Sequence, residues 1–278
     1  MKTILVPTDY SEVANNAGRY AIELAKRLDA SLLLFHAFRQ LPLLSSLPLI
    51  FNQVEQNKIA LEELKAEEYT MKHECCSQVT TESVVFKGSV TNGILEIIKT
   101  RKIDYIVMGI NDSSLLSEIL VGSHAISVVN KTNIPIFIIP KNSKFKKIKK
   151  FVFVHNYYEP IPKNVSEELK TLCTKLKTEL MIYGKPELHG EGNLAQAVSL
   201  IEKEFAKAGP MALKEFISYI DEEDLSGEII SYIEETHADL LAMLPSQSKT
   251  LSKLFQRDDA ILMAYISNVP LLILHEEN

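Results

Sequence analysis

The residues best suited to chemistry gather where apolar runs end. Thr8, Asp9 and Ser11 follow the run 3–7, Gly109 closes the run 103–108, and Gly122-Ser123-His124 interrupts a helical pattern that begins after Asn111-Asp112-Ser113-Ser114. The glycine at 122 leaves backbone N–H groups open. Amides without intrahelical partners, the dipole of a helix and the Ser123 hydroxyl together suit an anion such as phosphate. The same stretch also reads as a turn before an ordinary packing helix, because one glycine-bearing loop is a weak signal. Thr8 and Asp9 fall at the C-terminal end of a strand candidate, which is where open α/β sheets hold ligands.

Other chemistries find less support. The chain has 7 histidines, but none has the HxxxH spacing of a metal site, and His36, His155 and His275 fall near strand ends, where a structurally satisfied histidine is the commoner case. Ser123 lies in no GxSxG elbow and has no assignable base. Without a nucleophile–base arrangement the sequence argues against an enzyme, leaving at most slow hydrolysis of a bound ligand. Three cysteines, two of them adjacent at Cys75 and Cys76, give neither a disulfide framework nor a CxxC pair; they read as reduced thiols, with a redox switch at the pair as the alternative.

A net charge of −6 and a pI near 5.7 argue against a nucleic-acid binder. The most apolar loop, 41–51, carries Pro42, Ser45, Ser46 and Pro48 and falls short of the roughly 20 residues of a membrane span. The N-terminal apolar run is too short for a signal segment. The expectation is a cytoplasmic protein with neither membrane nor nucleic acid as partner.

Strands are expected at 3–7, 31–35, 83–86, 103–108 and 134–139, each a short run rich in β-branched or large apolar residues. Between them fall helical patterns: one capped by Ser11 with the stripe Ala14, Ala17, Ala21, Leu24, Ala25 and Leu28, one over 54–72, and one over 89–99. Strand–helix alternation predicts a parallel, right-handed, doubly wound sheet. The lysine-dense passage 141–150 is the expected domain boundary, giving domains 1–143 and 144–278.

The second half repeats the first. At a constant offset of 135, Asp104 meets Asp239, Met108 meets Met243, Ala125 meets Ala260, Asn133 meets Asn268 and Pro135 meets Pro270. Residues 151–154 and 180–183 answer the first two strands, so the chain reads as a tandem duplication. The copies part at the polar positions: Gly109 becomes Leu244, Gly122 becomes Arg257, Ser123 becomes Asp258 and His124 becomes Asp259. Residues 1–145 carry 15 Lys+Arg and 15 Asp+Glu, whereas 151–278 carry 11 against 21, hence −10 (11 − 21). An acidic second half with side chains in place of open amides is expected to repel a polyphosphate.

Val6-Pro7-Thr8-Asp9, His36-Ala37, and Gly109-x2-Asp112-x9-Gly122-Ser123 followed by Ile134-Pro135-Ile136-Phe137-Ile138-Ile139 resemble the universal stress protein family, in a tandem form. The resemblance implies two Rossmann-like, HUP-type domains, each a five-stranded parallel sheet of order 3-2-1-4-5. It implies pairing through the last strands, so that one chain forms an internal pseudo-dimer and exists as a monomer or homodimer. It also implies an ATP-like adenine nucleotide, with Mg, lined by Pro7, Thr8, Asp9, Ala37, Met108, Gly109, Asp112, Gly122, Ser123 and His124. In that likeness Asp9 faces the adenine or ribose, Ala37 offers backbone to the adenine, Gly109 admits the nucleotide, and Gly122, Ser123 and His124 offer amides to phosphate. The family's nucleotide-binding loop has glycine where this chain has Asp112; a carboxylate there either caps the following helix or holds a divalent cation that bridges to phosphate.

Two functions from different classes follow. One is a cytoplasmic stress-response protein binding an adenine nucleotide in its first lobe as a regulatory ligand, with the second lobe structural. The other is a scaffold for protein partners in which both loops have degenerated. An adenylating enzyme of the wider HUP group would need a phosphate loop such as SGGxDS after the first strand, and Thr8-Asp9-Tyr10-Ser11 is not one.

Overall fold

The computed structural model describes residues 1–39, 53–110, 123–155, 160–184, 199, 203, 205, 211–215, 225–244 and 268–276. The chain divides into two compact units, Met1–Ile134 and Pro135–Asn278.

In the first unit the order is β1 (Lys2–Thr8), α1 (Glu12–Leu28), β2 (Ala30–Phe38), α2 (Gln53–Glu74), β3 (Thr81–Lys87), α3 (Val90–Thr100), β4 (Tyr105–Ile110) and α4 (Ser123–Val129). All of the strand pairings here are parallel: β1 with β2 from Lys2↔Ala30 to Thr8↔His36, β1 with β4 at Ile4↔Tyr105 and Leu5↔Ile106, and β2 with β3. Ile4, Leu5, Val6, Tyr105, Ile106 and Val107 are almost wholly buried, as central parallel strands require. Helix α1 starts because the Ser11 hydroxyl accepts the Ala14 N–H at 3.2 Å, and it stops on Asp29 in the left-handed region. Its apolar stripe, Ala14, Ala17, Ala21, Leu24, Ala25 and Leu28, is buried.

β2 runs three residues beyond the expected end, through His36, Ala37 and Phe38, because β3 continues to pair with it at Ala37↔Phe86 and Phe38↔Lys87. Helix α2 is longer than expected, yet its buried face is narrow: Ala60, Leu64 and Met71.

The second unit holds β5 (Ile136–Pro140), β6 (Lys150–Val154), α5 (Lys163–Leu176), β7 (Glu179–Gly184), β8 (Met211–Glu215), α6 (Leu225–Thr236), β9 (Leu240–Met243) and β10 (Leu271–Ile273). Pairing is parallel for β6 with β7 and β9, for β7 with β8 and for β9 with β10. The exception is β5, which pairs antiparallel with β10 at Leu271↔Ile138, Leu272↔Phe137 and Ile273↔Ile136.

The first half follows the strand order β3-β2-β1-β4-β5, the order expected, and the second half follows the same order from β8 to β10, as β8-β7-β6-β9-β10. The fold is a parallel-dominated α/β fold, repeated. Among the described residues no helix is long and apolar enough to cross a membrane.

Candidate functional site

The parallel ladders bring the C-terminal ends of β1, β2 and β4 to one edge of the first unit. Thr8 is paired with His36, and continuing the register Leu5↔Ile106 along β4 sets Gly109 level with Thr8. Pro7 and Thr8 are buried, Asp9 is exposed, and Met108 is buried next to half-buried Gly109. The β1 ladder stops at His36 while β2 continues against β3, so Ala37 lies past the last β1 partner and its β1-facing backbone opens onto this edge.

Beyond Thr8 the chain turns sharply. Thr8 Oγ1 accepts the Tyr10 N–H at 3.0 Å and Asp9 Oδ1 accepts the Ser11 N–H at 3.0 Å, leaving Tyr10 at φ 64, a conformation that costs a non-glycine residue energy. The turn is held from the side: His36 Nδ1 donates to the Thr8 carbonyl at 2.8 Å, and the Tyr10 and His36 rings lie 4.5 Å apart. Tyr10 carries a phenol oxygen that is buried without a hydrogen-bond partner among the described residues. Burial, with Glu63 and Glu67 of α2 adding to it, pushes that phenol up to about 12, so it stays protonated.

Gly109 is a place of close approach. A Cβ there would lie 2.6 Å from the Val13 carbonyl oxygen and 2.7 Å from its Cγ1, so the first turn of α1 rests against β4 only because residue 109 has no side chain. α4 packs on β4 and α3. Ser123 is its first residue, and His124 is exposed. Asp112 and Gly122 lie outside the described residues. Among the described residues no group of three or more His, Cys, Asp or Glu side chains could hold a metal ion.

The structure therefore brings Pro7, Thr8, Asp9, Ala37, Met108 and Gly109 together at one sheet edge. Sequence reasoning missed the tilted Tyr10–His36 ring contact and the Val13 approach. Both depend on contacts between separate elements, which periodicity does not report. The only signal for the second was a glycine expected to close a buried strand; the structure sets it inside β4, one residue before the end.

A family model for the universal stress protein family matches residues 1–140. The chain belongs to that family. A universal stress protein of Methanocaldococcus jannaschii, MJ0531, is 33% identical over 151 residues, which cover 51% of this chain and 84% of the relative. Among solved structures, a universal stress protein from Archaeoglobus fulgidus superposes with a TM-score of 0.71 at 17% identity, covering 99% of this chain and 98% of its own. One described as a putative universal stress protein from Pseudomonas aeruginosa gives 0.62 at 11% identity, over 99% of this chain and 93% of that one. At such identities these two likenesses speak for the fold. As a universal stress protein, this chain has twice the strand set of one domain, and the family model covers its first half.

Proposed function

We propose that this protein is a cytoplasmic stress-response protein whose first unit binds an adenine nucleotide, ATP or a relative with Mg, as a regulatory ligand. The observation that carries the reading is the shared edge: Asp9 exposed, Ala37 past the end of the β1 ladder and Gly109 level with Thr8. Asp9 and the Ala37 backbone would hold the adenosine part beside Pro7, Thr8 and Met108. Gly122, Ser123 and His124 would offer N–H groups to the phosphates, with Asp112 capping the helix or holding the bridging cation. No nucleophile–base pair is assigned, so hydrolysis is slow at most. The resemblance further implies pairing through last strands, which would make the chain a monomer or a homodimer.

A second reading is favoured by Gly109. The Val13 carbonyl alone accounts for the glycine, which leaves room for a scaffold with no nucleotide. Denaturing the purified protein and weighing the released small molecules separates the two. An adenine nucleotide near one equivalent or less supports the first; protein that is empty and stays empty after incubation with millimolar ATP and Mg leaves the scaffold.

A further inference from the structure

We propose that Cys75 and Cys76 form an oxidisable dithiol, which a hydroperoxide closes into a disulfide between sequence neighbours, unlatching the C-terminal end of α2 from α1. The pair lies where α2 ends. Ser77 N–H donates to the Lys72 carbonyl at 2.9 Å and Cys76 N–H to the His73 carbonyl at 3.1 Å, a six-to-one and five-to-two closure that normally sets glycine at the left-handed position. Here that position is Cys76, at φ 46. A trans peptide keeps neighbouring Cα atoms about 3.8 Å apart, below the usual disulfide range of roughly 4.4–6.8 Å. Closing the ring therefore forces this turn to readjust, and leaving the left-handed conformation offsets part of the strain.

The two thiols differ in access to a peroxide. Cys76 is exposed, and Cys75 is half-buried, with burial and then Glu23 pushing its thiol up. Cys76 as thiolate attacks one oxygen of the hydroperoxide, the O–O bond breaks, and the alcohol or water leaves with a proton, giving the sulfenic acid. The Cys75 sulfur then attacks the Cys76 sulfur, the S–O bond breaks, and hydroxide leaves as water with the Cys75 proton. Two thiols have lost two hydrogens and the peroxide has been reduced. A strained bond of this kind is readily reduced by a small thiol, so the change reverses.

Movement of the turn reaches α1 through two contacts. Lys26 Nζ donates to the Cys75 carbonyl at 2.8 Å, and Arg19 pairs with Glu74 at 2.6 Å. The third cysteine, Cys173, is a built-in control: it is buried in α5 and its thiol is pushed up to about 12 by burial.

The test treats the full reduced chain with equimolar hydrogen peroxide, then counts thiols, weighs the intact chain and follows amide exchange over 71–79. The expected result is a fall from 3 free thiols to one, a loss of two hydrogens, no covalent dimer, faster exchange at Cys76 and Ser77, and full reversal by dithiothreitol. Cys75→Ser should stop at a Cys76 sulfenic acid that dimedone captures, and Cys173→Ser should leave the response unchanged. Three persisting thiols, oxygen added to Cys76 in the unsubstituted chain, a covalent dimer, or ring closure without faster exchange would overturn the proposal.

Discussion

The two units keep the same frame and differ at the same edge. In the first, Asp104 donates its N–H to the Thr3 carbonyl at 2.9 Å and accepts the Thr3 N–H at 2.8 Å. In the second, Asp239 donates to the Lys150 carbonyl at 2.9 Å and accepts the N–H groups of Lys150 and Lys149 at 3.1 and 2.8 Å. This aspartate clamps the first strand of each copy to the fourth. At the other end of the same strands the likeness stops. α1 has 17 residues, a Ser11 cap and Gly109 beneath its first turn; α5 has 14, begins at Lys163 after Pro162 without a side-chain cap, and the residue answering Gly109 is Leu244. Both helices end on a left-handed residue, Asp29 and Lys177, so the missing turn is at the start. A helix start can approach the strand end only where glycine leaves room, and when glycine goes the close approach goes with it.

The largest effect is expected from Gly109→Leu, which writes the second copy into the first. Overpacking against the Val13 backbone should destabilise the first unit by about 3 kcal/mol. Urea unfolding followed by hydrogen exchange, which assigns the loss to residues 1–134, measures it; a change below about 0.5 kcal/mol would break the link between glycine and helix start.

Next is the clamp. Asp239→Ala leaves the Lys149 and Lys150 N–H groups without their acceptor and should cost about 2 kcal/mol. Asp104→Ala, with one strand N–H at stake, should cost less. The Asp239 carboxyl also has a pH signature. Burial on its own would raise its pKa, but the Lys146 hydrogen bond and the two backbone donors outweigh burial and hold it below the ordinary aspartate value. A depressed folded pKa contributes stability that is present above the unfolded value, about 3.9, and is lost as pH falls through the folded one. Acid unfolding of the second unit should therefore be less steep below about pH 4 in Asp239→Asn, as circular dichroism at a series of pH values would show.

A smaller effect is expected at Asp112. A carboxylate some 4 to 6 Å from phosphate opposes binding by roughly 1 kcal/mol at a surface-like dielectric. Asp112→Gly should then strengthen ATP binding about fivefold, a factor of that size corresponding to about 1 kcal/mol. If Asp112 instead holds a bridging cation, the same change weakens binding in Mg and does nothing without it. Titrations with and without metal choose between them.

Much of this contrast was legible in the sequence, because strands buried on both faces leave unbroken apolar runs and a duplication leaves a constant offset. Asp104 and Asp239 stood out by that offset before either was seen to clamp a strand. The extension of β2 to Phe38 was hidden, since it depends on how far β3 pairs and not on the residues of β2 alone. The Tyr10–His36 ring contact was hidden for a similar reason: His36 was read as a residue near a strand end, and its partner comes from the turn that follows β1. Gly109 was legible as special, but its contact with Val13 was not, because a glycine needed for helix packing and a glycine needed for a ligand look alike in one sequence.

The central claim is that nucleotide binding belongs to the first copy alone. Calorimetric titration of the full chain with ATP and Mg tests it most directly. The account predicts a stoichiometry of one per chain, abolished by Gly122→Arg and indifferent to Arg257→Gly. Two equivalent sites per chain, or no binding at all, would contradict it.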